Sequence, residues 1–328
     1  MKKFVLFSMA LAAAALLVRP AAASDTPENT DITVGLPVTT STFLPIYLAD
    51  KEGLFKKHGL NVKLVTFHGG TDLVRGMIAG AVDVGITALA GVSLGIAAGQ
   101  PIKAFYGGFN MGVFEWYATK DIKTIKDTKG KRFGVTRLGS STDFLTRYAL
   151  NSHDIDPKKD VKIVQGGGSA ARLAAMQSGQ LDVNIFAAPE KFIAADLGYN
   201  RILRQSEIAP DYPYHVFFAT EKFLKRNPNT VRALLRAFVE GVRLAKADKA
   251  RSVKLLIERV GMAPKYAGRT YDDFIDHIYE DGRLPSDAGM KAFWEIGIEA
   301  GQYKHPWSQD KYLDPTFIES YSKWKPAQ

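Results

Sequence analysis

The chain has 328 residues, with 43 Lys and Arg against 34 Asp and Glu, and it contains no cysteine. The formal net charge of +9 is spread along the sequence, without the basic patch or stripe that nucleic-acid binding requires. The lack of cysteine excludes disulfides, zinc ribbons and thiol nucleophiles. A chain of this length can form two domains with separate hydrophobic cores.

The first residues have the pattern of a secretion signal. Lys2 and Lys3 precede an apolar run, Phe4–Val18, and alanines lead to a cleavage site before Ser24. The run is short for a membrane span, and no later stretch reaches about 18 apolar residues. Loss of residues 1–23 would lower the net charge to +6. With no cysteine for a lipid anchor, we expect a mature protein that spans no membrane and is free in the periplasm.

Strands and helices alternate along the mature chain. The strand Ile32–Val34 leads into a loop and a helix, and the order repeats through Val62–Phe67 and Asp83–Thr87. This alternation predicts βαβ units in a largely parallel sheet. Ligands of such sheets bind beyond the carboxyl ends of the strands. The loops at those ends are Thr39–Phe43, His68–Thr71, Thr87–Leu89, Arg137–Thr142, Gly166–Ser169 and Ala187–Glu190.

An internal repeat with an offset of 99 residues divides this pattern into two halves. Each half carries a strand, a glycine turn, a helix and then Gly-x-x-Asp-Val-x-Ile. General similarity between α/β units explains the pattern but not the shared register, so we predict two similar lobes. The identical pairs are Val62 and Val161, Lys63 and Lys162, Val65 and Val164, Gly69 and Gly168, Met77 and Met176, Gly80 and Gly179, Asp83 and Asp182, Val84 and Val183, and Ile86 and Ile185.

Two similar segments connect the predicted lobes. Phe114–Lys120 recurs loosely as His215–Glu221, which indicates that the chain leaves lobe 1 at the first segment and returns at the second. We predict lobe 1 over residues 24–117, lobe 2 over 118–218, and a helical return to lobe 1 over 219–328. Two lobes joined in this way form a hinge-closing binder, which buries a ligand from both sides.

The segment Gly134–Phe144 is the most informative part of the second half. A short strand and the turn at Leu138 and Gly139 lead into a helix that begins with Ser140, Ser141 and Thr142. These hydroxyls can cap the free N–H groups of the helix. The same N–H groups, with the positive end of the helix dipole, can instead hold an anion. Both interpretations remain open from this segment alone.

Several motifs together resemble the substrate-binding proteins of ABC importers. The chain is similar to the family that binds nitrate, taurine, alkanesulfonates and thiamine-precursor pyrimidines. Each motif is weak alone, but the order, the spacing and the preceding signal sequence make the resemblance specific. The motifs are Phe43–Ala49, Glu52–Phe55, Gly59–Val62, Gly80–Gly85, Asp127–Val135 and Gly179–Val183.

The resemblance implies a type II periplasmic-binding-protein fold of two α/β lobes. It also implies a small-molecule ligand, and a membrane permease and an ATPase as partners, and we expect the protein itself to be a monomer. Neither a cofactor nor a metal is expected. The ligand-binding candidates are Thr40, Ser41, Thr42, Phe43, His68, Gly69, Thr87, Ala88, Trp116, Arg137, Ser140, Ser141, Thr142, Ala188 and Glu190.

The charged candidates suggest the character of the ligand. Arg137 would attract an anion, whereas Glu190 and Glu115 would bring negative charge to the cleft. We therefore expect a ligand with an anionic or polar end and a hydrogen-bond-donating end, with any aromatic ring against Trp116.

An enzyme on the same fold, such as one that processes a pyrimidine, is the alternative. It would need an acid–base pair in the cleft, and His68 with Glu190 is the pair that the sequence offers. No His-x-x-x-His spacing occurs, and the one Gly-x-Ser-x-Gly match, Gly91–Gly95, falls inside a predicted helix, Leu89–Ala98, rather than at a strand-to-helix elbow. A sensor or chaperone is a more distant alternative.

Overall fold

A computed structural model describes residues 25–327. The predicted signal sequence lies outside the described residues. The strands are β1 Asp31–Leu36, β2 Asn61–Thr66, β3 Val84–Thr87, β4 Ile102–Asn110, β5 Glu115–Ala118, β6 Arg132–Val135, β7 Lys162–Gln165, β8 Val183–Phe186, β9 Asn200–Arg204 and β10 Pro213–Thr220.

Helices follow most strands and predominate in the C-terminal region. They are α1 Leu44–Lys51, α2 Leu54–Lys57, α3 Gly70–Ile78, α4 Leu89–Ala97, α5 Ser141–Asn151, α6 Ser169–Gln177, α7 Glu190–Asp196, α8 Glu221–Arg226, α9 Pro228–Ala247, α10 Lys249–Val260, α11 Pro264–Phe274, α12 Asp287–Glu299, α13 Gln309–Tyr312, α14 Thr316–Glu319 and α15 Tyr321–Trp324. Short 3-10 turns occur at Ser41–Phe43, Ile125–Thr128, Gln205–Glu207 and Ile275–His277. Within residues 25–327, none of these helices is both long and apolar enough to cross a bilayer.

The strands form two five-stranded sheets with the same topology. The orders are β2-β1-β3-β10-β4 and β7-β6-β8-β5-β9. In each sheet the first three strands pair in parallel, and the fourth pairs antiparallel with both of its neighbours. Four strands of each sheet therefore run in one direction. The predicted two-lobed α/β fold is confirmed, and each sheet is mixed because one reversed strand is inserted.

The 99-residue offset holds in the strand register. Thr33 pairs with Lys63, and Arg132 pairs with Lys162. One aspartate in each half also forms the equivalent hydrogen bond. Asp83 Oδ2 accepts from Thr33 N and Asp182 Oδ2 accepts from Arg132 N, both at 2.8 Å. The two lobes thus share a scaffold residue for residue in this region.

The reversed strands lie at the two connections between the lobes. β5 follows the first connection and belongs to the second sheet, whereas β10 follows the return and belongs to the first sheet. The predicted lobe boundaries at 117/118 and 218/219 consequently fall inside β5 and β10.

The C-terminal helices contact both lobes. α9 lies so close to α1 that a Cβ at Gly241 would be 2.2 Å from the carbonyl oxygen of Pro45. Phe317 packs edge-to-face against Phe105 of β4 with ring centroids 5.6 Å apart. On the other side, α11 reaches lobe 2 through an ion pair of 2.6 Å between Asp273 and Lys191. The C-terminal region therefore packs against α1 and β4 and also contacts lobe 2.

Candidate functional site

A cavity of about 80 Å³ lies between the lobes, where the loops after the parallel strands meet. Both lobes and the return strand β10 contribute to its wall. The lining residues are Pro37, Val38, Thr39, Thr40, Gly69, Gly70, Thr87, Ala88, Gly91, Phe114, Thr136, Ser140, Ser141, Thr142, Gly168, Ser169, Arg172, Ala187, Tyr214 and His215.

Four helix N-termini border this cavity. α3, α4, α5 and α6 each contribute residues from the cap position or the first turn to its wall. None of the four has a side chain that caps its N–H groups. Uncapped N-termini present N–H donors together with the positive end of the helix dipole. The wall therefore favours a negatively charged group.

Hydroxyl groups at the start of α5 bind to each other rather than to the helix. Ser140 Oγ donates to the carbonyl of Arg137 at 2.7 Å and lies 2.8 Å from Thr142 Oγ1. Since the Ser140 proton is used, Thr142 is the donor of this second bond. Thr142 Oγ1 also accepts from Thr136 N at 2.9 Å. Ser140 and Thr142 thus fix the turn, and Ser141 Oγ has no partner among the described residues.

Arg172 is a buried cation in the cavity wall. Its side chain lies on α6 with 1% exposure, and no described carboxylate forms an ion pair with it. Burial lowers the pKa of Arg172 to about 10, against the effect of Glu190 and Tyr214. The guanidinium therefore remains charged at neutral pH. An unpaired buried charge is costly unless a partner is supplied, and a bound anion would supply it.

Glu190 lies near this arginine but not in the cavity wall. Burial raises the pKa of the Glu190 carboxyl, while its backbone amide and Arg172 lower it. Among the lining residues, Arg172 is therefore the only formally charged side chain at neutral pH.

Three aromatic side chains also line the cavity. Phe114, Tyr214 and His215 line it, and the His215 ring stacks between Tyr214 and Phe43 with centroid distances of 3.9 and 4.7 Å. Burial lowers the pKa of His215 to about 3, so that the ring is neutral. The cavity wall thus combines a buried cation and several hydroxyl groups with aromatic side chains.

Seven of the candidate residues from the sequence line the cavity, and eight do not. The lining ones are Thr40, Gly69, Thr87, Ala88, Ser140, Ser141 and Thr142. Ser41, Thr42, Phe43 and Ala188 are buried close behind the wall. His68, Trp116, Arg137 and Glu190 lie elsewhere, for separate reasons.

Arg137 does not line the cavity and instead contacts lobe 1. Its Nε donates to Asp72 Oδ2 of lobe 1 at 2.9 Å and to the carbonyl of His68 at 3.3 Å. Thr71 Oγ1 adds a bond of 3.3 Å to the carbonyl of Leu138 across the same gap. A Cβ at Gly69, where φ is +131°, would be 2.7 Å from Arg137 Cγ, so this close approach requires glycine. The expected cation of the site is here part of an inter-lobe contact.

Trp116 and Glu115 are also engaged away from the cavity. Trp116 is completely buried, and its Nε1 donates to Thr146 of α5 at 3.1 Å. Glu115 lies 3.6 Å from Lys191 and 3.5 Å from Arg201. The expected aromatic platform and acidic mouth are therefore absent from the described cavity wall. The side chain of His68 is exposed.

Sequence reasoning missed the cation that does line the cavity. An arginine in an amphipathic helix normally indicates a solvated face. The repeat could have identified Arg172, because the 99-residue offset aligns it with Leu73, a core residue with no exposure. A charge at a core position of a repeat is a stronger indication of a site than an arginine in a loop. No group of three or more His, Asp and Glu residues suited to a metal occurs in the described part of the chain.

Comparison with known proteins agrees with this architecture. YtlA of Bacillus subtilis (strain 168), which carries the name of a binding protein, is 27% identical over 225 residues, or 66% of each chain. The match thus spans just under two thirds of that relative. The 4-amino-5-hydroxymethyl-2-methylpyrimidine phosphate synthase THI13 of Saccharomyces cerevisiae (strain ATCC 204508 / S288c) is 24% identical, over 67% of this chain and 68% of its own.

Two solved structures share the fold. One from Bordetella bronchiseptica RB50 has a TM-score of 0.79 at 22% identity and covers 90% of this chain and 98% of its own. The alkanesulfonate-binding protein SsuA from Xanthomonas axonopodis pv. citri, bound to MOPS, has a TM-score of 0.70 at 18% identity, over 85% and 96% of the two chains. The fold is that of periplasmic binding proteins. The model of the NMT1-like family matches residues 25–257, and the chain belongs to that family.

Proposed function

We propose that the protein is the substrate-binding component of an ABC importer and captures a compact anionic solute between its lobes. The carrying observation is the buried, unpaired guanidinium of Arg172 in a wall bordered by four uncapped helix N-termini. Each feature favours negative charge, and together they attract an anion more strongly than the N-terminus of one capped helix would. The SsuA neighbour, which binds alkanesulfonates, supports this class of solute.

The cavity also limits the rest of the ligand. Since neither Glu190 nor Glu115 lines the wall, the ligand needs no ammonium or other donor end. The aromatic wall at Phe114 and Tyr214 suits a small apolar group. Sulfonates and carboxylates with short apolar substituents fit both ends, while nitrate fills the anionic end alone. After capture, the closed protein would deliver the solute to a permease and ATPase in the inner membrane from the periplasm.

A thermal-shift screen tests this proposal. At a ligand concentration of 100 times Kd, binding stabilises the folded state by about 2.7 kcal/mol. We expect at least one of methanesulfonate, acetate and nitrate to raise the melting temperature, and tetramethylammonium to have no effect. Arg172→Leu, which copies the residue of lobe 1, should abolish the shift. No shift with any anion, or an equal shift in the variant, would contradict the proposal.

The enzymatic alternative has one observation in its favour, the relation to the yeast pyrimidine phosphate synthase. Neither residue of its proposed acid–base pair lines the cavity, and the side chain of His68 is exposed. Product formation from a pyrimidine precursor that stops in Glu190→Gln would favour the enzyme.

A further inference from the structure

The hydrogen bonds of Arg172 are unusual for a cation that faces an anion. Nη1 donates to Thr136 Oγ1 at 2.8 Å and to the carbonyl of Gly167 at 2.5 Å. Nη2 donates to Ser169 Oγ at 3.3 Å and to the carbonyl of Ile185 at 2.7 Å. These four bonds occupy all the N–H groups of the two terminal nitrogens, and the remaining Nε–H is buried without a partner. Little of the guanidinium is left to hold a ligand directly.

The two hydroxyls that accept from Arg172 are thereby oriented. A hydroxyl has one proton, and arginine cannot accept it. Neither Thr136 Oγ1 nor Ser169 Oγ has another partner among the described residues. Both residues line the cavity. Their protons are therefore available to an acceptor in the cavity, unlike those of Ser140 and Thr142, which are used within the turn.

We propose that Arg172 is a positioning residue that makes Thr136 and Ser169 hydrogen-bond donors, so that the site selects head groups that only accept. This inference rests on the proposed function and specifies its ligand. A fully ionised sulfonate offers acceptors on all three oxygens. A phosphonate monoanion of the same charge and shape carries one P–OH. The proton of this group would face the donors Thr136 and Ser169, and no carboxylate lines the cavity to accept it. Leaving such a group unpaired is what makes this kind of discrimination strong.

Methanesulfonate and the methylphosphonate monoanion are matched probes for this inference, measured by calorimetric titration at one mildly acidic pH. We expect the wild type to prefer methanesulfonate by at least about tenfold. Arg172→Lys retains the charge but loses the planar fork, so its preference should fall to within about threefold. Thr136→Val with Ser169→Ala retains Arg172 and should lower the preference in the same way. Melting curves without ligand verify that each variant folds, and Ser178→Ala, on the surface of lobe 2, is the matched control.

The outcomes separate this inference from the proposed function. Equal binding of both probes by the wild type would overturn the selectivity and leave the anion-binding function standing. An unchanged preference in Arg172→Lys and in the double variant would show that Arg172 acts only through charge, which overturns the positioning role. No binding of either anion would overturn both proposals.

Discussion

Leu73 and Arg172 occupy equivalent places in the two lobes, 99 residues apart. Comparing them distinguishes the features that both repeats need for folding from those that occur only at the cavity. Leu73 is a core residue of lobe 1, so close to Gly35 that a Cβ there would lie 2.3 Å from its Cδ1. Arg172 is equally buried in lobe 2, beside Gly166. The same backbone therefore accommodates either an apolar contact or a cation at the cavity wall.

The surroundings explain why only lobe 2 can hold the cation. The side-chain acceptors of Arg172 are Thr136 and Ser169. The equivalent positions in lobe 1 are Pro37 and Gly70, which have no side-chain acceptor. A buried charge needs hydrogen bonds as well as space. The proposed anion-binding function would thus depend on several concerted differences between the repeats, not on one substitution.

Transferring the cation to lobe 1 should have the largest effect. We expect Leu73→Arg to lower the free energy of unfolding by about 3–5 kcal/mol, because the charge would be buried without the two side-chain acceptors that Arg172 has. Urea denaturation measures this loss through the midpoint. Leu73→Met, which conserves volume, should cost less than about 1.5 kcal/mol. Wild-type stability in Leu73→Arg would mean that lobe 1 can also satisfy a cation.

Separating Ser140 from Ser141 should have an intermediate effect. Ser140→Ala removes three hydrogen bonds from the turn and should lower stability by about 1–2 kcal/mol. Ser141→Ala should leave stability within about 0.5 kcal/mol, while weakening anion binding about tenfold, or 1.4 kcal/mol. Thermal melting without ligand and calorimetric titration with methanesulfonate measure the two quantities. If Ser141→Ala lowers stability and leaves affinity intact, the start of α5 is a capped helix and not a binding element.

The smallest effect concerns the aspartate pair of the repeat. A side-chain hydrogen bond from Arg132 holds the pKa of Asp182 below its ordinary value of 3.8. Its stabilising contribution is therefore present above pH 3.8 and is lost as the pH falls through the lowered pKa of the folded state. Arg132→Thr, which copies Thr33 of lobe 1, should raise this pKa and move acid unfolding to slightly higher pH.

Carboxyl titration by NMR and acid unfolding followed by circular dichroism measure this change. Lys129→Thr removes the same charge from an exposed position that pairs with Asp160 instead, and it should leave the Asp182 pKa unchanged. An equal shift in both variants would mean that net charge, not the hydrogen bond, controls the carboxyl.

The repeat made the fold predictable, while the site depended on contacts that the sequence does not display. Apolar periodicity and a fixed offset were enough for two lobes, because both are local properties of the chain. The role of Arg137 depended on Asp72, 65 residues away, and that of Trp116 on Thr146 of a neighbouring helix. Such partners follow from tertiary packing. Arg172 was the exception, since comparison with Leu73 already marked it as a charge in a core position.

A crystal structure with the tightest-binding anion of the screen tests the central claim most directly. We predict that the anion lies inside the inter-lobe cavity, with acceptor atoms about 3 Å from Ser141 Oγ, Thr136 Oγ1 and Ser169 Oγ. An anion bound outside the cavity, or one that displaces the hydrogen bonds of Arg172 from Thr136 and Ser169, would contradict this account.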